Sequence, residues 1–242
     1  VEQEIDMEKI KKKEENQIQK ALEEAKDILD LPKVPRIIEG FDISNIEGTD
    51  ATGSMVYFLE GRPYNKNYRY FNIHSKSTPD DVAMMKEVVK RRYTMLLENN
   101  LTLPDLILVD GGKGQLNAGF SVLKELGIDG IPIIGLAKKF EEIFVPNKKE
   151  PIVLPRNSNL LKIFQLVRDE AHRFAVKLHK KQREKRVQRS VLDGIKGIGP
   201  ATRNKLLNHF GSVKNIRKAS LEEISKIVRH EIAFEIKKVL KE

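Results

Sequence analysis

No cysteine occurs among the 242 residues. Disulfides are thereby excluded, and so are metal sites built on thiolates. No apolar run approaches the ~20 residues that cross a bilayer as a helix. The opening residues, VEQEIDMEK, are acidic rather than signal-like. These absences predict a soluble, cytoplasmic protein with no membrane partner. Solenoid-type repeats and low-complexity tracts are also missing. The first residue is Val rather than Met, so the chain is expected to be a piece of something longer.

What is present is charge, unevenly placed. The formal net charge is +9 and a third of the residues are charged, which suits an anionic polymer as partner. Residues 1–31 hold ten acidic and six basic residues, whereas residues 162–190 hold ten basic and three acidic. Such asymmetry predicts a directional electrostatic surface rather than general solubility.

The length allows one large domain or two smaller ones. Residues 3–30 read as a helix, with Ile18, Leu22, Ala25 and Leu29 at helical spacing, ended by Pro32 and Pro35. Val34 to Ser44, Ser54 to Glu60 and Tyr68 to Ile73 alternate as strands joined by turns, an antiparallel meander. Thr78-Pro-Asp-Asp81 predicts a helix start, with Thr78 as N-cap, Pro79 at the first position and Asp81 closing a capping box. Val82, Met85, Val89, Tyr93 and Leu96 are its expected buried face. Leu106 to Val109 is a continuous apolar run, as in a strand covered on both faces, and a helix follows to about Leu126. Ile131 to Leu136 reads as another buried strand, Ile143 to Val145 as an edge strand, and residues 158–186 as one long helix. The order predicts an α/β fold, a mixed sheet flanked by helices. After Ser190 the pattern becomes all-helical. The expected parts are 1–32 as N-terminal helix and linker, 33–187 as the sheet domain and 188–242 as the helical domain.

Three residues could carry chemistry. Asp42 alternates onto one strand face with Ile38, Gly40 and Ser44, and a buried carboxylate is costly unless paired or bound to a cation. Asp110 ends the most buried strand, where α/β sheets open their functional crevice. His172 lies at the edge of a helix stripe formed by Phe164, Val167, Ala171, Phe174 and Leu178. Each has a bland alternative: a strand-edge carboxylate, an Asp-Gly turn, a structural histidine. Taken together, two aspartates on neighbouring strands and an imidazole from a packed helix can hold a divalent cation over a scissile phosphate. His179 is seven residues on, a rise of about 10 Å, too far for one ion. Gly111-Gly-Lys-Gly-Gln115 resembles a phosphate loop but has no Ser or Thr after Lys113, and Asn117 takes the place of the last glycine. No nucleotide cofactor is expected.

Two further segments address the polyanion. Lys180, Lys181 and Arg183 lie in the basic block after His172. Ile195-Lys-Gly-Ile-Gly-Pro200 is a Gly-hydrophobic-Gly turn opening a helix, whose free N–H groups bind phosphate without reading sequence. It is flanked by Lys196, Arg203 and Lys205. Ser220 and Glu223 form a capping box for a later helix.

These segments together resemble the C-terminal half of the UvrC family, the incision subunit of bacterial nucleotide excision repair. The resemblance rests on Phe41-Asp-Ile-Ser44, Asp80-Asp81, Lys90-Arg-Arg-Tyr93, Leu108-Val-Asp-Gly-Gly-Lys-Gly-Gln115, Arg168-Asp-Glu-Ala-His-Arg-Phe-Ala175 and Ile195-Lys-Gly-Ile-Gly-Pro200, in order from about residue 20 onward. It implies an RNase H-like endonuclease domain followed by a tandem helix-hairpin-helix domain. It implies Mg²⁺- or Mn²⁺-dependent cutting of damaged double-stranded DNA on the 5′ side of a lesion, within the SOS response, and UvrB as partner of the full-length protein. Carried over by motif, Asp42 and Asp110 are catalytic metal ligands and His172 stands where RNase H enzymes usually have a carboxylate. Asp81 matches a further acidic position, and Lys113 falls in the matched loop, in reach of phosphate. Lys196, Gly197, Ile198, Gly199 and Arg203 form the first DNA-gripping hairpin. Two departures stand out. The second hairpin, Ile227-Val-Arg-His-Glu231, has no glycine, and the family's GIY-YIG nuclease and UvrB-binding helix pair have no counterpart. The rival reading is a non-catalytic, structure-specific DNA-binding module with a scaffold sheet.

Overall fold

The computed structural model describes residues 2–44, 51–73 and 80–241, with side chains except at 2–5, 178, 179, 181–190 and 241. The chain divides into two compact units, residues 1–176 and 177–242.

In the first unit α1 (Glu2–Leu29) is followed by β1 (Ile37–Ser44), β2 (Thr52–Leu59), β3 (Arg62–Pro63), β4 (Arg69–Asn72), α2 (Asp81–Glu98), β5 (Leu106–Asp110), α3 (Lys113–Glu125), β6 (Ile133–Ala137), β7 (Glu142–Phe144) and β8 (Ile152–Val153), then α4 (Asn159–Asp193). The strands form one mixed sheet in the order β3-β2-β1-β5-β6-β7-β8, with β4 also pairing β2. β1, β5 and β6 run parallel in the centre, and the other pairings are antiparallel. Strand alternation divides the core in two. Ile38, Leu106, Leu108, Ile134 and Leu136 face Leu22, Ala25, Phe164 and Val167 of α1 and α4. Phe41, Ile107, Val109 and Ile133 face Met85, Val89, Tyr93, Leu116 and Val122 of α2 and α3. The continuous apolar run of β5 follows from this burial on both faces.

Several expectations change. β7 is not the sheet's edge, because β8 pairs on its outer side through Glu142↔Val153 and Ile143↔Ile152. Helix α2 begins at Asp81 with Asp80 as N-cap, whose carboxylate accepts from the Val82 and Ala83 amides. Asp81 is therefore its first residue and closes no capping box. Aspartate caps as well as threonine does, and Thr78 and Pro79 lie outside the described residues, as does the turn at 45–50. Val82 is exposed, and the buried stripe runs instead through Met84, Met85, Val88, Val89, Arg92, Tyr93 and Leu96. Helix α4 extends past residue 186 to Asp193. In the second half of α1, Ala21, Leu22, Ala25 and Leu29 are buried in the core on one face of the sheet.

The second unit is helical: α5 (Pro200–Phe210), α6 (Val213–Lys218), α7 (Leu221–Ser225) and α8 (His230–Lys241). Leu192, Ile195, Leu206, Ile216, Ile224, Ala233 and Ile236 form its core. The Ser220–Glu223 capping box is present at α7. No described helix is long and apolar enough to cross a membrane.

Candidate metal centre and nucleic-acid interface

The site is assembled by register. β1 and β5 pair in parallel with Phe41 opposite Val109, so Asp42 and Asp110 sit side by side, one residue beyond, at the strands' C-terminal ends. Both share the parity of Ile38 and Leu108, which places them on the face covered by α4. Helix α4 then delivers His172. Its Nδ1 lies 3.5 Å from Asp42 Oδ2, with Asp42 8% and His172 49% exposed in their side chains. One ligating atom from each of Asp42, Asp110 and His172 can be chosen so that all three lie within 4.8 Å of one another.

Side chains without chemistry of their own set this geometry. A Cβ on Gly40 would stand 2.4 Å from Val167 Cγ1, so glycine in this strand is what lets α4 approach β1. Ser54, opposite Asp42 across β1 and β2, donates a buried hydrogen bond of 2.9 Å to the Ala171 carbonyl. Tyr68 donates to Glu170 at 3.0 Å, and Arg173 holds the same carboxylate. Buried Arg168 donates to Glu141 at 2.6 Å and to Asp169 at 2.9 Å. The helical turn carrying His172 is thus clamped on several sides. Replacing Gly40 with alanine should destabilise the fold by roughly 1–3 kcal/mol, the usual cost of overpacking. Thermal melts check this: adding Val167→Ala to Gly40→Ala should recover part of the loss, whereas simple additivity would count against the close approach.

The electrostatics of the site suit a cation. Burial, then the like charge of Asp42, pushes the Asp110 carboxyl up to about 6, partly offset by Lys138, Arg168 and His172. Lys138 Nζ is 3.9 Å from Asp110 Oδ2 and mostly exposed. Two carboxylates held together, with the nearby Lys138, Arg168 and His172 offsetting only part of their repulsion, suit a hard divalent ion.

On the opposite face of β1, Glu39 is fully buried. It accepts from Arg92 Nη2 at 2.5 Å, from Arg92 Nε at 3.2 Å and from Tyr93 Oη at 2.9 Å. The strand that carries Asp42 is thereby fixed to α2 about three turns from the helix start. Sequence reasoning passed over Glu39 although it alternates with Ile37 and Phe41 onto an apolar face, where a charge requires a partner.

Other expected site residues lie elsewhere. Asp81 is exposed in the first turn of α2 and is not part of the ligand cluster found among the described residues. Lys113 donates to the Lys149 carbonyl at 2.9 Å and lies over the Phe144 ring, so its ammonium braces the segment between β7 and β8. Lys180 is exposed, while the Lys181 and Arg183 side chains, with Leu178 and His179, lie outside those described. In the helical unit Gly197 has φ +88, a conformation that favours glycine, and Gly199 caps α5 with Pro200 at its first position. A Cβ at Gly199 would meet nothing within 4 Å. Lys196 is exposed, but Ile198 is buried in the unit's core. Arg203 gives its guanidinium to Asp193 at 2.6 and 2.7 Å. Ile198 thus packs inside the hairpin unit, and Arg203 is paired through its Nη1. No residue from 226 to 231 has positive φ, so the glycine-free second turn takes a different backbone course from the first.

Comparison with known proteins agrees with this geometry. Residues 26–176 match the model of the UvrC RNAse H endonuclease domain. The chain belongs to the UvrC family. Residues 190–242 match a SAM-like helix-hairpin-helix tandem, so an RNase H-like endonuclease domain precedes a hairpin domain, as the motifs implied. UvrABC system protein C of Chlorobaculum tepidum is 50% identical over 216 residues, covering 89% of this chain and 34% of the relative. The protein of the same name from Methanococcoides burtonii is 51% identical over 220 residues, covering 90% and 36%. The chain thus spans about a third of the length of these UvrC relatives. Among solved structures, a DNA complex of Ciona intestinalis Endonuclease V is similar at a TM-score of 0.39 and 14% identity, covering 61% of this chain and 87% of that one.

Proposed function

We propose that this UvrC endonuclease domain cuts one strand of damaged double-stranded DNA 5′ of a lesion in nucleotide excision repair, acting in the cytoplasm with UvrB as protein partner of the full-length chain. The observation that carries the reading is the convergence of Asp42, Asp110 and His172 within 4.8 Å. Their donor set, two carboxylates and one imidazole, fits Mg²⁺ or Mn²⁺. Such an ion would polarise the phosphodiester and lower the pKa of an attacking water. The chain's own contribution is orientation. Asp42 is held by the Ser44 hydroxyl, which donates to its Oδ2 at 3.0 Å, and His172 is held by the clamped turn of α4. An imidazole in place of a third carboxylate leaves one fewer negative charge and weakens cation binding.

The helix-hairpin-helix domain, in residues 188–242, would hold the duplex through the backbone amides around Gly197 and Gly199, with Lys196, Lys180, Lys181 and Arg183 supplying charge. Binding should fall steeply with salt, because phosphate contacts release counterions. Gly199→Val should weaken duplex binding equally across sequences while leaving the unit folded, since a Cβ there meets nothing within 4 Å and the loss of a glycine N-cap costs only about 1 kcal/mol. Fluorescence anisotropy and thermal melts check both. A salt-insensitive affinity, or a preference for one base sequence, would contradict this grip. Arg229→Ala, in the second turn, should matter less. The experiment that tests the activity is nicking of a bubble-containing duplex with Mg²⁺ or Mn²⁺. Strand cleavage that needs the ion supports the reading, and tight DNA binding without cleavage would leave only a binding scaffold.

A further inference from the structure

The β6–β7 hairpin turns through Lys138-Lys139-Phe140-Glu141, with Ala137 paired to Glu142 at its base. Parallel pairing sets Asp110 opposite Leu136, so the turn projects from the sheet end that carries the aspartates. Lys138 reaches back to within 3.9 Å of Asp110. Phe140 is 64% exposed, and the Lys139 ammonium lies 5.1 Å from its ring centroid. A single exposed aromatic is ordinarily unremarkable. This one stands on a tip that the protein holds in place. Glu141 has φ +55, an unusual conformation for a non-glycine residue, and is tied by its carboxylate to the buried Arg168 of α4. Arg168 lies one helical turn before His172. The same helix therefore fixes both the imidazole and the aromatic tip.

We propose, resting on the nuclease reading above, that Phe140 is a nucleobase-stacking subsite: its ring packs on an unpaired base of the strand being cut while Lys138 and Lys139 contact the flanking phosphates. The Phe140 Cα lies at most about 7.6 Å from that of Lys138, two peptide units away. An exposed ring with the Lys139 ammonium over it and Lys138 two residues before it matches the chemistry of single-stranded nucleic acid, in which every base offers a π-face and every nucleotide a negative charge. A fully paired duplex keeps its bases stacked internally and offers no such face, so this subsite would favour DNA opened around a lesion.

The chain has no tryptophan, so Phe140→Trp introduces a single indole reporter at the tip. It is read in an Asp110→Asn background that keeps the strand whole. Indole emission should fall on adding a duplex with an unpaired bubble and stay within a few per cent on adding the fully paired duplex. Phe140→Ala should lose about tenfold in affinity for the bubble, within the range found for base–aromatic stacking, and less than twofold for the paired duplex, with an unchanged melting temperature. Unchanged emission while anisotropy reports bubble binding would overturn the subsite and leave the nuclease reading intact. Equal losses on both DNAs would also overturn it, by making Phe140 a general contact. If the unsubstituted chain binds neither DNA, the nuclease reading fails and the subsite with it.

Discussion

Replacing Asp42 or Asp110 with alanine should lower strand nicking by roughly a thousandfold or more while leaving DNA affinity within about twofold. The expected size follows from the chemistry: a bound ion contributes several kcal/mol of charge stabilisation, and each 1.36 kcal/mol is tenfold in rate. Both carboxylates sit at the ends of adjacent central strands, with ligating atoms that converge with His172. His172→Ala should also abolish the nick; His172 is half exposed, and Asp42 keeps the Ser44 hydroxyl when the imidazole is removed. DNA affinity is expected to persist because the hairpin glycines belong to a separate compact unit. Nicking assays and anisotropy on the same preparations separate the two effects. Parallel loss of binding and cleavage would mean that the aspartates hold the fold or the DNA rather than the reaction.

Asp110→Asn should stabilise the cation-free protein at neutral pH although it removes activity. Burial and the neighbouring Asp42 hold the Asp110 carboxyl at about 6, above the ~3.9 of an unfolded chain. With the folded value raised, the group favours folding most below about pH 4, and that contribution is lost as pH rises through about 6. A shift of this size corresponds to about 3 kcal/mol. The Asp110 side chain is 11% exposed, so solvent screening removes little of it. Asparagine takes no charge, so in EDTA at pH 7.5 the variant should melt several degrees higher than the unsubstituted chain. At pH 4 the two should melt together. Adding Mg²⁺ or Mn²⁺ at pH 7.5 should raise the melting temperature of the unsubstituted chain and barely move the variant. Nicking should decline in acid, at a pH below the cation-free value of about 6 and lower still at higher cation concentration, because proton and cation compete for Asp110. A variant that melts lower at pH 7.5 would show that the carboxylates are not in conflict.

Much of this was legible in the sequence, for identifiable physical reasons. The run at Leu106–Val109 announced a central strand because both of its faces are buried. Asp42 and Asp110 stood out as carboxylates on apolar strands, and His172 as the polar edge of an apolar helix stripe. Less legible were the features that depend on what lies opposite. Nothing in Gly40 alone says that Val167 will press on it, and nothing in Ser54 says that it will hold the Ala171 carbonyl. β8 is two residues long and exists only because β7 offers it an edge. The N-cap of α2 is Asp80, and because Thr-Pro-Asp-Asp offers more than one residue type that suits the position, the sequence alone does not single it out. Arg203 flanks the first hairpin in sequence and Lys113 falls in the loop matched by resemblance; the intrachain partners each one has, Asp193 and the Lys149 carbonyl, are brought near only by the fold. Glu39 was the one avoidable omission, since a charge on an apolar strand face demands an explanation.

The central claim is that Asp42, Asp110 and His172 form one divalent-cation centre. Anomalous diffraction from crystals soaked in Mn²⁺ tests it most directly. The account predicts a peak enclosed by the two carboxylates and the imidazole, absent in the Asp110→Asn variant. A site occupied elsewhere, or none at saturating Mn²⁺ with the three side chains ordered, would contradict it.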